Sequence, residues 1–483
     1  MNLSWSLELL ADFYELTMSE GYLRNGREDS IVYFDLFYRR NPDEGGFAIL
    51  AGVDHFLSIL RDFHFTEEDL DYLRSLGKFS PEFLDYLRNL DMTKCTVWTM
   101  PEGTPVFPGE PLMTIRGPVI QAQLLETVAL NCVNHESLIA TKANRMVRAA
   151  EGRPVVEFGA RRAHGASAAV WGARAAYIGG CVGTSCTLAG QRFGIPVSGT
   201  MAHSWVQLFD SELEAFKAYA RTYPDDCVLL VDTYDVLKHG IPNAIRTFNE
   251  VVLPAGYRPK GIRIDSGDLA YLSKRARAML DEAGFPDCKI VASNALDEYI
   301  VRDLLRQGAP VDIFGIGERL ITSKSDPVFG GVYKLVAVED AQGVIHPKIK
   351  VSENTAKTTN PGFKQVFRFF DNETNHAIAD VIALRSETID PSQDYELFDP
   401  IETWKTKMLR GGTYSVKPLL EKRTPLEPSN GAPANPEEAK KRCAAELELF
   451  WDEVKRFENP HRFYVDLSHE LWTLRQRLIH AAK

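Results

Sequence analysis

The amino-acid sequence predicts an α/β barrel flanked by α+β regions, and three observations support this prediction. Between about residues 120 and 340, seven apolar segments rich in β-branched residues recur along the chain. Most are separated by stretches whose apolar residues recur three and four positions apart, as in amphipathic helices. The apolar runs are nearly continuous, which is typical of parallel strands covered on both faces. Seven such units fit a closed or irregular barrel better than an open sheet.

The predicted elements of the barrel follow each other in β/α order. The strand-like segments are 154–159, 181–185, 195–200, 227–233, 261–266, 288–294 and 311–317. The clearest helical stretches are 211–223, 268–284 and 296–308.

The regions on either side of the barrel have a different character. Within residues 1–118, "SIVYFDLFYRR" alternates like a strand, 65–90 reads as two short capped helices, and 102–118 is β structure rich in Pro and Gly. We therefore predict an α+β domain over 1–118, a catalytic barrel over 119–340, and a region over 341–483 that completes the α+β domain. Further strands are predicted at 331–340 and 364–371, and the last region also contains a Pro-rich linker near 418–436 and a helical tail.

Composition excludes several classes of protein. A net charge of −11 without a long basic tract argues against nucleic-acid binding. No segment approaches the ~18 consecutive apolar residues that a membrane span needs. The acidic residues Glu8 and Asp12 near the N-terminus do not fit a signal peptide, so a soluble cytoplasmic protein is expected. Seven scattered cysteines indicate free thiols, and the pair Cys181 and Cys186 lacks the partners of a zinc site.

Polar residues follow most of the predicted barrel strands. Because such strand ends converge on one face of a barrel, we expect them to line one site. The candidates are Glu157, Arg161, Arg162 and His164 at the first strand, Thr184 and Ser185 at the second, His203 and Ser204 at the third, Asp232, Thr233 and Asp235 at the fourth, Arg263, Asp265, Ser266, Gly267 and Asp268 at the fifth, Ser293, Asn294 and Asp297 at the sixth, and Gly315, Gly317, Glu318 and Arg319 at the seventh.

These residues also have simpler interpretations. Asp268 and Asp297 stand where helices start, which favours N-capping. Gly315 and Gly317 either permit a tight turn or expose backbone N–H groups to a phosphate. Arg263 and Asp265 lie on one side of an extended segment, a pattern that suits a sugar phosphate and a divalent cation.

Four roles can be considered for His203: a structural hydrogen bond, a metal ligand, a proton carrier or a phosphoryl acceptor. No second histidine lies at metal-ligand spacing, which makes a metal site improbable. The residues alone leave the other roles open.

Several stretches taken together resemble one family. In chain order they are "LLADFYELTMSEGY", "EFGARRAHG", "SGTMAHSWV", "VDTYD", "IRIDSGDL", "IVASNALDE" and "FGIGERLITS", and together they resemble nicotinate phosphoribosyltransferase from the N-terminus to about residue 340. The resemblance implies an irregular α/β barrel of the type II phosphoribosyltransferase kind with an α+β domain. It also implies a homodimer whose sites are built from both subunits, and a reaction of nicotinate with phosphoribosyl pyrophosphate that is coupled to ATP and uses Mg²⁺.

The resemblance also assigns roles to individual residues. It implies that ATP phosphorylates His203, and that Phe158 and Tyr14 sandwich the pyridine ring, with Tyr14 and Asp12 supplied by the partner subunit. The remaining roles are as follows: Arg161 and Arg263 hold carboxylate or phosphate oxygens, Asp265 meets the ribose hydroxyls or Mg²⁺, Ser293, Asn294, Gly315 and Gly317 cradle the 5′-phosphate, and Asp232 and Thr233 bind substrate.

One position bears on the choice of substrate. Related nicotinamide phosphoribosyltransferases carry an aspartate in the segment that reads "VGTSCT" here, where Ser185 stands. A serine can donate a hydrogen bond to a carboxylate that an aspartate would repel, which favours nicotinate over nicotinamide.

Three alternatives to this function remain. The first is use of nicotinamide in place of nicotinate. The second is another sugar-phosphate barrel enzyme such as an aldolase or isomerase. That class usually needs a lysine or a glutamate at a strand end, and the strand ends here are poor in lysine. The third is a ligand-binding barrel without turnover.

Overall fold

The computed structural model describes residues 7–352, 357–402, 404–423 and 435–482, and the chain divides into two compact units. Unit 1 comprises residues 1–138 and 328–483, and unit 2 comprises residues 139–327. The division therefore falls at other positions than the predicted boundaries at 118 and 340. Residues 119–138 belong to unit 1 because side chains such as Leu124 and Val133 are buried in its core.

The N-terminal part of unit 1 contains the predicted mixture of helices and strands. Its helices are α1 (Phe13–Arg24), α2 (Val53–Asp62), α3 (Glu67–Ser75), α4 (Pro81–Arg88), α5 (Val119–Leu124) and α6 (Glu126–Ala149), the last of which continues into unit 2. Its strands are β1 (Ile31–Tyr38), β2 (Ala48–Ile49), β3 (Thr96–Thr99), β4 (Pro105–Val106) and β5 (Met113–Pro118). The helices predicted over 65–90 are confirmed as α3 and α4, and Thr66 and Ser80 cap them by accepting hydrogen bonds from backbone N–H groups.

Unit 2 is the α/β barrel. Its strands are β6 (Val155–Glu157), β7 (Gly183–Thr184), β8 (Val228–Leu230), β9 (Gly261–Ile264), β10 (Lys289–Asn294) and β11 (Ile313–Ile316). Its helices are α7 (Ala166–Ile178), α8 (Thr187–Phe193), α9 (His203–Leu208), α10 (Glu212–Thr222), α11 (Ile241–Thr247), α12 (Leu269–Glu282), α13 (Glu298–Arg306) and α14 (Glu318–Ile321).

All neighbouring strands of unit 2 are parallel, in the order β7-β6-β11-β10-β9-β8. The first strand, β6, thus pairs with the last, β11, while β7 and β8 are the two edge strands of the sheet. The prediction of a strand at 195–200 is wrong. The described chain forms only one isolated bridge there, from Val197 to Thr184. Pro196 has no N–H to extend the ladder, and within the described residues nothing pairs this segment with β8. The barrel is therefore irregular, as the resemblance implied.

The C-terminal part of the chain returns to unit 1. Its strands are β12 (Gly331–Glu339), β13 (Ile345–Pro347), β14 (Lys364–Asp371), β15 (Ala377–Leu384), β16 (Tyr395–Phe398), β17 (Thr406–Leu409), β18 (Tyr414–Pro418), β19 (Glu421–Arg423) and β20 (Val465–Leu467). Its helices are α15 (Pro436–Leu447) and α16 (His469–Ala481).

Two six-stranded sheets organise unit 1, in the orders β13-β12-β1-β5-β3-β19 and β17-β16-β20-β15-β14-β18. The first sheet combines strands from the N-terminal and C-terminal parts of the chain, since β12 pairs antiparallel with β1 and β19 pairs antiparallel with β3. Of the predicted linker at 418–436, residues 424–434 lie outside the described residues, while 421–423 form strand β19. Among the helices that the structure describes, none is long and apolar enough to cross a membrane.

Candidate active site

A cavity of about 190 Å³ opens in unit 2 where strands β6, β9, β10 and β11 end. Parallel strands put their carboxyl ends on one face, which is why residues distant in sequence meet here. The cavity is lined by Ala295, by the strand-end candidates Arg162 and Glu318, and by eight residues with a predicted role: Phe158, Arg161, Arg263, Asp265, Ser293, Asn294, Gly315 and Gly317.

Arg263 is at the centre of the polar contacts of the cavity. Its Nε donates to Ser293 Oγ at 2.7 Å, and its terminal nitrogens donate to Thr200 Oγ1 at 3.0 Å and to Asp265 Oδ1 at 2.7 Å. Its guanidinium lies 5.4 Å from the centre of the Phe158 ring. Because four neighbours fix it, the guanidinium is held in one orientation at the cavity wall.

The carboxylate of Asp265 stays ionised in this setting. Burial alone would raise its pKa, but the hydrogen bond from Ser293 Oγ and the charge of Arg263 outweigh burial and lower the pKa below the ordinary value. The site therefore holds a permanent negative charge beside a permanent positive one.

His203 lies beside the same carboxylate. It is the first residue of α9, its Nε2 is 3.8 Å from Asp265 Oδ2, and its Nδ1 is 3.2 Å from Thr233 Oγ1. The imidazole is 40% exposed, so a ligand can reach it. One carboxylate thus connects His203 with Arg263 in a single site.

Asp232 holds the backbone of Asp265 in place through a hydrogen bond. Its Oδ2 accepts hydrogen bonds from the Asp265 backbone N–H at 3.0 Å and from Ser266 Oγ at 2.5 Å. Its Oδ1 is buried and has no hydrogen-bond partner within the described part of the chain. A buried carboxylate oxygen without a partner is costly, and a ligand or cation would relieve this cost.

The two glycines of β11 and its following turn make room for Phe158. A Cβ on Gly315 would lie 2.6 Å from the Phe158 ring, and a Cβ on Gly317 would lie 2.7 Å from the Phe158 backbone oxygen. Parallel pairing sets Gly315 beside Ser293 and Ile316 beside Glu157, which fixes the ring against the glycine backbone. Asn294, at φ 154°, has a backbone conformation that is rare without glycine and is typical of functional loops.

The other cations near the cavity differ in their partners. Arg161 has no hydrogen bond or ion pair to any residue that the structure describes, and its side chain is exposed. Arg162 lies 4.0 Å from Glu318.

The predicted helix N-caps are confirmed. Asp268 accepts a hydrogen bond from the Tyr271 N–H, and Asp297 accepts hydrogen bonds from the Tyr299 and Ile300 N–H groups.

Two further residues are important for the geometry: Glu157, a strand-end candidate without a predicted role, and Thr200, which was not among the candidates. Glu157 is fully buried at the end of β6, where it accepts from Thr184 Oγ1 at 2.6 Å and from the Gly159 N–H. Burial raises its pKa, although these hydrogen bonds oppose the rise. Thr200 accepts a hydrogen bond from Arg263 and so orients it. Its position at the end of the predicted strand 195–200 could have identified it as a site residue.

Six residues with a predicted role do not line the cavity. Three of them, His203, Asp232 and Thr233, are connected to it through Asp265 or through His203, and the other three are not. Ser185 is exposed after β7, and its backbone N–H donates to Glu157 O at 2.8 Å. Asp12 and Tyr14 belong to unit 1, at the start of α1, where the Tyr14 side chain is exposed.

The donor set suits Mg²⁺ bound jointly by protein and substrate. No group of three or more His, Cys, Asp or Glu side chains among the described residues forms a ready metal cage. Asp265 and the free Oδ1 of Asp232 are carboxylate oxygens, and Mg²⁺ is commonly held by one or two carboxylates together with substrate phosphates.

Family profiles match almost the whole chain. Residues 9–134 match the nicotinate phosphoribosyltransferase (NAPRTase) N-terminal domain, residues 154–374 match the nicotinate phosphoribosyltransferase (NAPRTase) family, and residues 363–475 match the nicotinate phosphoribosyltransferase C-terminal domain.

Individual relatives agree with the profiles. The chain is 44% identical to nicotinate phosphoribosyltransferase of Bacillus subtilis (strain 168) over 480 residues, covering 99% of this chain and 96% of the relative. The crystal structure of human nicotinic acid phosphoribosyltransferase is similar with a TM-score of 0.84 and 30% identity, covering 97% of this chain and 99% of that one. The nicotinate-nucleotide pyrophosphorylase from Pyrococcus furiosus, at 22% identity and a TM-score of 0.65, covers 93% of this chain and 98% of its own and shares the fold.

Proposed function

Because this chain belongs to the nicotinate phosphoribosyltransferase family, an enzyme family, we propose that it joins nicotinate to phosphoribosyl pyrophosphate. The products are nicotinate mononucleotide and pyrophosphate, a step of NAD salvage. The observation that carries the proposal is the cluster in which Asp265 contacts both Arg263 and His203 at the mouth of the barrel.

The pyridine ring of nicotinate would lie against Phe158. An aromatic face packs well on an electron-poor ring, and Gly315 leaves room for this side chain. The free guanidinium of Arg161 would form a charge-assisted hydrogen bond to the nicotinate carboxylate. In a homodimer with shared sites, Tyr14 of the partner subunit would cover the other face of the ring, with Asp12 of the partner subunit beside it.

The 5′-phosphate would occupy the turns after β10 and β11. Ser293, Asn294, Gly315 and Gly317 line this part of the cavity. Backbone N–H groups at turns of this kind bind anions, and a glycine lets the phosphate come close to the backbone. Arg263 would supply a local positive charge for the phosphate in a chain whose net charge is negative.

Catalysis would depend on position and electrostatics, without a protein nucleophile. The pyridine nitrogen attacks the anomeric carbon of the ribose while the bond from that carbon to the pyrophosphate oxygen breaks. Asp265 would face the positive charge that develops on the sugar, while Asp232 holds the Asp265 backbone in place. With Mg²⁺ held by Asp265, Asp232 and the substrate, the cation would neutralise the departing pyrophosphate. Alignment of the two reactants is worth several kcal/mol in organised sites.

His203 is proposed as the residue that couples ATP to this reaction. The unprotonated imidazole nitrogen would attack the γ-phosphorus of ATP while the bond from that phosphorus to the β,γ-bridging oxygen breaks. ADP would leave with that oxygen, and the other ring nitrogen would then release its proton. Water would later hydrolyse the phosphorus–nitrogen bond and release inorganic phosphate. In the interval the phosphohistidine would add about two negative charges beside Asp265, by analogy with other phosphorylated side chains, and so change the affinity for the cation and pyrophosphate.

Ser185 is proposed to select the acid over the amide. Its exposed hydroxyl can donate to a carboxylate, whereas an aspartate at this position would accept from an amide and repel an acid. The alternative of a lysine-dependent aldolase or isomerase has less support, because the described lining of the barrel cavity contains no lysine.

The direct test incubates the purified protein with nicotinate, phosphoribosyl pyrophosphate and Mg²⁺, with and without ATP, and measures nicotinate mononucleotide. We expect product in both cases and a higher rate or yield with ATP. His203→Ala should abolish ATP hydrolysis and the stimulation by ATP while leaving slow uncoupled synthesis. A barrel that lacks turnover would form no product under any condition.

The substrate preference is tested by competition between nicotinate and nicotinamide. The wild-type protein should use nicotinate, and Ser185→Asp should lower kcat/KM for nicotinate about tenfold or more through charge repulsion. Ser185→Ala is the matched control, because it removes the hydroxyl without adding charge. Preference of the wild-type protein for nicotinamide would contradict the role assigned to Ser185.

A further inference from the structure

Unit 1 contains a second and larger cavity that the barrel chemistry does not use. Its volume is about 840 Å³, and all its lining residues belong to unit 1. The wall combines apolar groups such as Phe37 and Ile401 with the cations Arg462 and Arg475. A mostly apolar cavity of this size with a few polar groups is typical of small-molecule sites.

Arg475 on helix α16 is the unusual residue of this cavity. It is 5% exposed, its Nη1 donates to Pro400 O at 3.0 Å, and its Nε is buried without a hydrogen-bond partner. No carboxylate among the described residues lies within ion-pair distance of it, and burial lowers the pKa of its guanidinium. The positive charge is therefore buried but not compensated.

Two other buried cations of unit 1 have carboxylate partners. Lys364, also in the cavity wall, is paired with Asp35 at 2.9 Å, and Arg368 is paired with Asp380 at 2.7 Å. A buried charge without a counter-charge destabilises a folded protein, so its retention beside a cavity points to an external anion.

We propose that this cavity binds a phosphate-bearing small molecule with an apolar ring, the chemistry of a nucleotide. Arg475 donates from its guanidinium to a phosphate oxygen, since arginine binds phosphate through paired N–H donors. The apolar wall that includes Phe37 and Ile401 packs against the ring. The inference does not depend on the reaction proposed for unit 2, because no residue of the barrel takes part.

The binding experiment uses the full chain and ATP as the probe. Arg263→Met weakens phosphate binding in the barrel, and calorimetric titration then compares this variant with the double variant Arg263→Met/Arg475→Met. We expect one ATP site in the single variant and a loss of affinity of about tenfold or more in the double variant. Equal affinity in the two proteins, or no binding at millimolar ATP in the single variant, would overturn the proposal.

A stability measurement separates this role from a structural one. Arg475→Met replaces an uncompensated buried charge by an apolar side chain, so the melting temperature of the ligand-free protein should rise or stay the same. Arg385→Met is the matched control in unit 1, since Arg385 also has no carboxylate partner in the described structure but does not line the cavity. It should leave ATP affinity unchanged. A clear fall in the melting temperature of Arg475→Met would show that Arg475 is a structural residue and would also overturn the proposal.

Discussion

An arginine–aspartate pair in unit 1 and another in unit 2 differ in what surrounds them. In unit 1, Arg368 and Asp380 are direct cross-strand partners on β14 and β15, joined by two hydrogen bonds, with side chains only 2% and 0% exposed. In unit 2, Arg263 and Asp265 lie two positions apart at the end of β9, with side chains 14% and 27% exposed. The same chemical pair is thus enclosed in one unit and open to a cavity in the other.

The difference shows how burial decides the use of an ion pair. The pair in unit 1 has all its neighbours supplied by protein, including the Pro105 carbonyl and the Phe107 and Phe450 rings around Arg368. The opposite charges of Arg368 and Asp380 compensate each other, and burial keeps them away from a ligand. The pair in unit 2 keeps contact with solvent and is therefore available for chemistry.

The largest expected effect comes from breaking the enclosed pair. Arg368→Met should lower the free energy of unfolding by about 3–5 kcal/mol, because Asp380 would remain buried without its counter-charge. Urea denaturation followed by circular dichroism measures this change. The double variant Arg368→Met/Asp380→Leu is the control and should recover much of the loss. A loss below about 1 kcal/mol for the single variant would contradict a structural role for the pair.

Breaking the open pair should affect activity instead. Arg263→Met is expected to lower kcat/KM about 10²–10³-fold, the usual cost of losing one organised charged donor in an active site. The free energy of unfolding should change less than in Arg368→Met, because solvent compensates Asp265. Arg263→Lys retains the charge but not the forked geometry, so its activity should stay well below that of the wild-type protein. Wild-type kinetics in Arg263→Met would remove this residue from the site.

A smaller effect is expected from filling the space beside the open pair. Gly315→Ala puts a Cβ 2.6 Å from the Phe158 ring, which must then move. Overpacking of this kind costs about 1–3 kcal/mol, so KM for nicotinate should rise by about tenfold with a smaller change in kcat. Gly284→Ala serves as a control in the same unit, at a glycine whose added Cβ meets no atom within 4 Å but whose φ of 85° still strains the backbone. An unchanged KM for Gly315→Ala would show that Phe158 does not contact the ring of the substrate.

The last prediction concerns pH, for which the two units should respond in opposite directions. In unit 1, burial raises the pKa of Glu15 to about 7, and hydrogen bonds from Thr127 and the Asp12 N–H only partly oppose this. The folded protein then holds a proton that the unfolded chain releases near pH 4.3, so the free energy of unfolding should fall as pH rises from about 4.3 to about 7. In unit 2, the pKa of Asp265 is lowered, so its contribution is present above about pH 3.9 and is lost as pH falls further.

Denaturation at several pH values tests this contrast. Glu15→Gln should flatten the dependence between about pH 4.3 and 7, and Asp265→Asn should flatten it below about pH 3.9. If the stability of Glu15→Gln had the same pH dependence as that of the wild-type protein between about pH 4.3 and 7, the Glu15 carboxyl would titrate at its ordinary pKa.

Much of the barrel could be predicted from local pattern. Six of the seven predicted strands are present, and helices α10, α12 and α13 lie within the predicted stretches. Apolar periodicity and capping residues such as Asp297 act over a few positions, so they can be read in one sequence. The segment at 195–200 was misassigned because its apolar pattern resembles a strand, whereas strand formation depends on a neighbour that the sequence does not reveal.

Candidate site residues were also partly predictable. Polar residues at strand ends identified Arg263, Asp265 and Ser293 before their contacts were known, because a barrel sets all such ends on one face. The role of Glu157 in joining the ends of β6 and β7 was not predictable, since it depends on parallel pairing with β7 and on complete burial. Position of a residue after a strand does not reveal which neighbour it contacts.

The sequence by itself determined the type and order of the elements, the barrel class and the family, because these depend on periodicity, turn residues and short motifs. Only the tertiary structure decided that residues 331–339 return to pair with β1, that Asp265 contacts both Arg263 and His203, and that Arg475 is buried without a counter-charge. The physical reason is that charge compensation and burial are properties of groups brought together from distant parts of the chain. Each side chain has its chemistry from the sequence, but its partners, its solvent exposure and therefore its function follow from the fold.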